Sequence, residues 1–295
     1  MMPFTSKKVS EAYPMKCFFV SDLHGYQTRY TKVFQKITEN KPDCVFFGGD
    51  LLPHHNPKSS SMESYLDQIF FQPLRKIHST LSNPPEIFVI LGNDDPRQYE
   101  TLFLNAEKEG NLHYCHNKTI PIENFFVSGL SFVPPTPFQL KDWERYDVSR
   151  HIDVGAISPE LGIHTVEISD DELRFDTIEK NLENLVKNAP PEKTIFLFHC
   201  PPYKSQLDRA ALDGQMVDHA PLDLHIGSIA IQRFIKIYQP FITLHGHVHE
   251  SSRLTGQWMQ KFGKTVSFSA AYDGPELSLV QFELAQLENC FRELI

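Results

Sequence analysis

The chain has 295 residues, of which 41% are hydrophobic and 22% charged, and a formal net charge of −9; that is an ordinary globular balance, with enough chain to build a core without disulfides or structural zinc. The acidic balance argues against a long nucleic acid as the main partner, because phosphate backbones need clustered Lys and Arg, while a local pocket for one small phosphate stays open. The five cysteines, Cys17, Cys44, Cys115, Cys200 and Cys290, are scattered without a C-x-x-C pair, which fits reduced thiols in the cytoplasm rather than a secreted scaffold.

Residues 1–14 read as a polar lead-in, too poor in apolar residues for a signal peptide, and Met15 is an alternative start. No stretch approaches the ~18 continuous apolar residues of a membrane span, so no membrane partner is expected. Cys17-Phe18-Phe19-Val20 reads as a buried strand that ends in Ser-Asp-Leu-His-Gly. A helix follows over 27–39, stopped by Lys41-Pro42-Asp43. Cys44–Phe47 is a second buried strand, ending in Gly48-Gly49-Asp50. Residues 62–81 carry helical spacing (Ile69, Phe70, Leu74, Ile77), with a kink or break at Pro73. Ile87–Leu91 is a third strand, ending in Gly92-Asn93-Asp94-Asp95.

The middle is less regular. Phe125–Leu130 reads as a strand, Pro134-Pro135-Thr136-Pro137 as a loop, 139–163 as an excursion over the site, and 177–188 as a helix. The earlier grammar then resumes: a strand at Thr194–Phe198 ends in His199, a helix covers 228–238, and a strand at Phe241–Leu244 ends in His245-Gly246-His247-Val248-His249. Val266–Ala270 and Leu277–Leu284 read as further strands. Strands alternating with helices imply parallel strands, whose loops gather at one edge where open α/β sheets bind ligands. No repeat, low-complexity tract or linker divides the chain, so 1–295 is read as one domain.

Five clusters sit just past strands: Asp22-x-His24, Gly49-Asp50, Gly92-Asn93-Asp94-Asp95, His199 and Gly246-His247-x-His249. Asp22, Asp50, Asn93, His24, His199, His247 and His249 together offer carboxylate, amide and imidazole donors. Such a mixture suits Mn²⁺, Fe, Zn²⁺, Ni²⁺ or Co²⁺ more than Ca²⁺. The set is too large for one tetrahedral ion with an open position, and about right for two ions ~3.5–4 Å apart sharing a carboxylate, the usual clamp for in-line displacement at phosphorus.

This combination resembles the calcineurin-like metallophosphoesterase superfamily, whose signature is D-x-H, G-D, G-N-[H/D/E], H and G-H-x-H. The resemblance covers residues 16 to about 284. His199–Tyr203, Leu207-Asp208, Asp218–Asp223, His225–Ser228, Gln239–Glu250 and the loop ending at Phe138 look like the branch of predicted phosphoesterases related to cyclic-nucleotide phosphodiesterases. The resemblance implies a four-layer αββα sandwich of two mixed sheets with the metal site at the strand C-terminal edge. It implies that Asp22, His24 and His249 hold one ion, that Asn93, His199 and His247 hold the other, and that Asp50 bridges them. A metal-bridging hydroxide would attack phosphorus in line, with Asn93 stabilising the charge.

One departure matters. Many members carry a His after the motif's Asn, where this chain has Asp94 followed by Asp95, the latter matching the acid that orients the absent His or a neighbouring group. A carboxylate near its usual ~3.9 is a poor general acid at neutral pH. Asn93, Asp94 and Asp95 are therefore the candidate catalytic residues, and small phosphodiesters or nucleotide-like substrates are expected to suffer less than monoesters. The alternatives are a phosphomonoesterase or protein phosphatase, and a non-catalytic scaffold on the same fold.

Other side chains carry two readings each. Ser228 and His225 precede a helix whose N-terminus either receives a phosphate or is capped by Ser228. His54 and His55 touch substrate or, the better reading, face solvent. His245 orients a ligand or is simply buried and bonded. Arg145, Arg150 and His151 meet a substrate phosphate or pair with Asp142, Glu144, Asp147 and Asp153. His78, His113, His116 and His164 are read as structural, and Cys200 as packing.

Overall fold

The computed structural model of the chain describes residues 15–54 and 60–295, so the lead-in and His55 lie outside the described residues. The strands are β1 (Lys16–Val20), β2 (Cys44–Gly48), β3 (Glu86–Ile90), β4 (His113–Tyr114), β5 (Thr119–Ile122), β6 (Phe125–Leu130), β7 (Thr194–Phe198), β8 (Met216–Val217), β9 (Ala220–Pro221), β10 (Ile242–His245), β11 (Met259–Phe262), β12 (Thr265–Ser269), β13 (Ser278–Glu283) and β14 (Phe291–Leu294). The helices are α1 (Gln27–Asn40), α2 (Met62–Leu66), α3 (Gln72–Thr80), α4 (Glu100–Lys108), α5 (Asp170–Phe175), α6 (Ile178–Leu185), α7 (Ile229–Tyr238) and α8 (Ser251–Thr255). Among the described residues, no helix is long and apolar enough to cross a membrane.

One sheet runs β14-β13-β1-β2-β3-β4, with β1 to β4 parallel and β13 antiparallel to both neighbours. The other runs β11-β12-β10-β7-β6-β5, parallel from β12 to β6 and antiparallel at its edges. The near-continuous apolar strands follow from burial on both faces. Successive side chains point to opposite faces, and the packing obeys that alternation. Phe18, Val20, Val45, Phe47, Ile87 and Val89 pack with the helices. Cys17, Phe19, Cys44, Phe46, Phe88 and Ile90 pack against Ile195, Leu197, Ile242 and Leu244 of the second sheet. On that sheet Phe196 and Phe198 turn outward to Phe234 of α7, with ring centroids 4.9 and 5.8 Å away. The layers are thus helix, sheet, sheet, helix, and the αββα class is what this chain adopts.

The stretch 62–81 is not one helix. A π-helical turn, Asp67–Phe71, separates α2 from α3, and the Gln72 amide donates to the Asp67 carbonyl five residues back. Pro73 has no N–H with which to continue the α pattern, and the wider turn absorbs that loss. The edge strand β5 contains Pro121, tolerated there because an edge position can go without a ladder donor.

The irregular segment between β6 and α5 is fixed by buried polar contacts. The Trp143 indole donates to the Asp95 carbonyl at 2.8 Å, and Asp142 accepts from the amides of Arg97 (2.7 Å) and Thr165 (2.8 Å). Lys141 and Glu144 form a fully buried pair, and Glu144 also accepts from the Thr136 amide and hydroxyl.

Candidate metal centre

β1, β2 and β3 of one sheet and β7 and β10 of the other end at a common place, each delivering one motif. The loops are zipped together: the Asp22 amide donates to the Gly49 carbonyl (2.9 Å), that of His24 to Asp50 (2.8 Å), and that of Asp94 to the Asp50 carboxylate (2.9 Å). Asp22, His24, Asp50 and His247 all have positive φ, between 47° and 74°. Non-glycine residues rarely adopt this region, and such strain concentrates where surrounding structure over-determines a functional geometry. Gly92 leaves room for that geometry, since a Cβ there would lie 2.6 Å from both the Asp50 nitrogen and the His199 ring.

The donor atoms fall into two groups. Asp22, His24, Asp50 and His249 form one, and Asp50, His199 and His247 the other, with the donor atoms in each within 4.8 Å of one another. Asn93 joins the second, its Oδ1 3.1 Å from His199 Nε2. Asp50 is common to both.

The bonding around these atoms fits divalent cations. His199 Nδ1 lies 2.8 Å from the Gly48 carbonyl, which can only accept, so the ring proton sits on Nδ1 and Nε2 offers a lone pair. That lone pair faces two further acceptors, Asn93 Oδ1 at 3.1 Å and Asp50 Oδ2 at 3.2 Å. Asp22 Oδ2 and His24 Nδ1 are buried and have no hydrogen-bond partner. Converging acceptors and orphaned buried oxygens and nitrogens are costly unless a cation sits among them.

The charges of the metal-free chain make the same point. Burial works against a charged His199 ring, but Asp50 beside it pushes it up to about 10. His249, despite burial, is raised to about 9 by its bond to Asp22. Burial favours the charged form of Asp22 least, yet His249 draws it down to about 2. Burial, helped by the neighbouring histidines, takes His24 to about 4 and His247 to about 3. Protons on His199 and His249 stand in for the positive charge this crowd of acceptors requires.

Asp94 and Asp95 do different things. The Asp94 carboxylate accepts from the Asn93 amide nitrogen at 2.9 Å, which turns the Asn93 oxygen toward His199. Burial and the Asp50 charge push Asp94 up to about 7 in the metal-free chain. Asp95 is fully buried, and its carboxylate accepts from the amides of Gly92 (2.9 Å), Leu51 (3.1 Å) and Leu52 (2.7 Å). Asp95, expected among the catalytic candidates as an orienting acid, lies behind the loops and ties the Asp50 loop to the Asn93 turn.

His54 does not simply face solvent. Its ring stacks on His24 with centroids 4.4 Å apart, and its Nδ1 lies 3.4 Å from Asp94 Oδ2. Ser228 caps α7, accepting from the Ile231 amide, and Asp147 occupies the same helix end by accepting from Ile229 and Ala230, which leaves no place for a phosphate. His225 bonds Asp208 (2.8 Å). His245 is fully buried, its nitrogens 2.8 Å from the Cys200 carbonyl and the Thr243 hydroxyl, so it braces the residue after His199. Arg145 pairs with Glu172 and Asp176, and Arg150 with Glu160, rather than with the carboxylates nearer in sequence. His151 is exposed. Cys200 is packed in the core. His78, His113, His116 and His164 bond to the Asn111 carbonyl, the Glu86 carboxylate, the Ser131 amide and the Pro159 carbonyl.

Arg29 carried no sequence signal. It is a buried helix residue whose guanidinium donates to the carbonyls of Asp22 and Gly274, both at 2.7 Å, and so holds the first motif in place.

Comparison with known proteins agrees with this architecture. The chain belongs to the calcineurin-like phosphoesterase family, whose sequence profile matches residues 15–251. It is similar in fold to the crystal structure of TT1561 of Thermus thermophilus (15% identity, TM-score 0.58, covering 96% of this chain and 99% of that one). A dimetal phosphatase from Danio rerio is also similar (12% identity, TM-score 0.54, covering 91% and 92%). No curated protein matches the chain. Family membership supports metal-dependent hydrolysis of phosphoesters.

Proposed function

We propose that this chain is a dinuclear metal-dependent phosphoesterase that favours small phosphodiesters over monoesters. The observation that carries this reading is the pair of donor groups sharing Asp50. Asp22, His24 and His249 would hold one ion, Asn93, His199 and His247 the other, and Asp50 both. Divalent ions at such a site supply Lewis acidity and an activated water; manganese, iron, zinc and nickel all suit the donors.

The chain's own residues do the rest. Arg29 and Asp95 fix the loops that aim the donors, and Asp94 sets the Asn93 amide so that its oxygen faces the site. With two cations beside it, Asp94 would also be an anionic side chain at the place where a substrate phosphate arrives. A monoester dianion meets more repulsion there than a diester monoanion, which supports the diester preference. The five cysteines, all without disulfide partners, support a cytoplasmic setting, and the acidic charge supports a small substrate rather than a long nucleic acid.

The test is hydrolysis of bis-p-nitrophenyl phosphate against p-nitrophenyl phosphate by metal-stripped protein with Mn²⁺, Ni²⁺, Zn²⁺ or Mg²⁺ restored. Metal-dependent turnover with the higher kcat/KM on the diester is expected. A higher value on the monoester would point to the phosphatase reading, and no turnover with two ions bound would point to the scaffold reading.

His54 supplies an imidazole beside Asp94, where the sequence lacks one after Asn93. Its assigned role is to contact the departing oxygen. His54→Ala should lower kcat by about 10²-fold for diesters with an alkoxide leaving group, and much less for p-nitrophenolate, which needs little help. Equal losses on both substrates would remove His54 from that step.

A further inference from the structure

We infer that the cleft above the metal centre is a binding site for the second ester group of the substrate, and that this group is apolar and carries no negative charge. The inference rests on the phosphodiesterase reading and deepens it. A cavity of about 510 Å³ is lined at one end by Asp50, Asn93, His247 and His249, so it opens beside a phosphorus held there and has room for one of its substituents.

Its walls are largely apolar. Pro135 and Phe138 line one side, Val154 another, and Leu212, Val217 and Leu222 the rest. Phe138, Val154 and Val217 are left 57%, 46% and 37% exposed, a cost in water that an apolar occupant relieves. The walls are held in place before any ligand arrives. Thr136 is clamped by the buried Lys141–Glu144 pair, and the Ile157 amide donates to the Thr136 carbonyl at 3.0 Å, joining the Val154 segment to the proline loop. The Leu222 amide donates to the Gln215 carbonyl at 3.1 Å and fixes the hairpin of β8 and β9.

Away from the metal-ligating end, the charged side chains that line the cleft are of one sign. Asp153, Asp223 and Glu250 line it, and none of the described lining residues is Lys or Arg. Of the basic residues nearby, Arg145 pairs with Glu172 and Asp176, Arg150 with Glu160 and Arg209 with Asp213, and Lys204 lies over the Tyr203 ring, 5.2 Å from its centroid. A second phosphate or a carboxylate in the substituent would find no positive partner and several like charges.

A matched series of p-nitrophenyl phosphodiesters tests this, with methyl, phenyl or 4-carboxyphenyl as the second group. In each, water oxygen joins phosphorus, the P–O bond to p-nitrophenol breaks, p-nitrophenolate leaves, and the water proton passes to solvent. With the metal-loaded full chain, kcat/KM for the phenyl ester should exceed that for the methyl ester by about tenfold or more, as burial of a ring predicts. It should exceed that for the carboxyphenyl ester by a similar factor. Val154→Lys, at an exposed loop position, and Leu222→Lys should each narrow the phenyl-to-carboxyphenyl ratio. Equal kcat/KM across the series, or a ratio unmoved in both variants, would overturn the inference while leaving the hydrolase reading intact. Absence of metal-dependent hydrolysis of all three would instead overturn the hydrolase reading on which it rests.

Discussion

Asp50→Ala should lower metal-dependent phosphodiester hydrolysis by at least about 10³-fold, because one side chain serves both ions and a two-metal clamp fails when either ion is lost. The expectation follows from its membership in both donor groups. It also follows from its surroundings: the Asp94 amide and His199 Nε2 both address the Asp50 carboxylate. Metal content measured on the same protein should fall from two ions per chain to one or none, while the circular dichroism spectrum stays native. A variant that keeps two ions and near-native turnover would show that Asp50 is not shared. Asp95→Ala is a poor substitute for this experiment, since it releases three backbone amides and disturbs the loops as a whole.

Metal binding should also be strongly coupled to pH, with a sign fixed by the two raised histidines. In the metal-free chain His199 is pushed up to about 10 and His249 to about 9, so at pH 8 both rings carry protons. A ligating imidazole must be neutral, and those protons leave as the ions bind. His24 and His247, lowered to about 4 and about 3, are already neutral and release nothing. Loading both sites at pH 8 should therefore release about two protons. The product of the two association constants should rise about 100-fold per pH unit between about pH 7, where Asp94 also begins to take up a proton, and pH 9, and fall as the solution is acidified. Calorimetry in two buffers of different ionisation enthalpy reads the proton count directly. A binding enthalpy independent of buffer would contradict the proton-for-metal exchange.

Much of this site is legible in the sequence because its grammar is local. An apolar strand, a turn and a metal-type side chain occur within ten residues, and five repetitions of that pattern place five loops at strand ends. The division of those strands between two sheets is not local. It depends on which face of each strand meets a helix, as with Phe18 and Phe19, and a strand buried on both faces gives no alternation to read. Short or edge elements such as β4, β5 and β14 have too few residues to form a pattern.

The supporting residues were harder still. Arg29 looks like any helix residue until its guanidinium is seen to reach Asp22 and Gly274. The partners of Arg145 and Arg150 lie across the irregular segment, at separations sequence proximity does not rank. His54 reads in sequence as a solvent-facing loop histidine, and half of its side chain is indeed exposed. Its position against His24 depends on the path of the Asp50 loop, which Asp95 fixes from another motif. Asp94 illustrates the reverse: the substitution is plain in sequence, but its grip on the Asn93 amide is a matter of side-chain geometry.

The proposed chemistry requires two ions at this edge that share Asp50. Electron paramagnetic resonance during Mn²⁺ titration of the metal-stripped full chain tests it most directly. Two Mn²⁺ should bind per chain, with the signal of isolated ions giving way to that of a spin-coupled pair as the second site fills. Saturation at one ion, or two ions that remain magnetically independent, would contradict it.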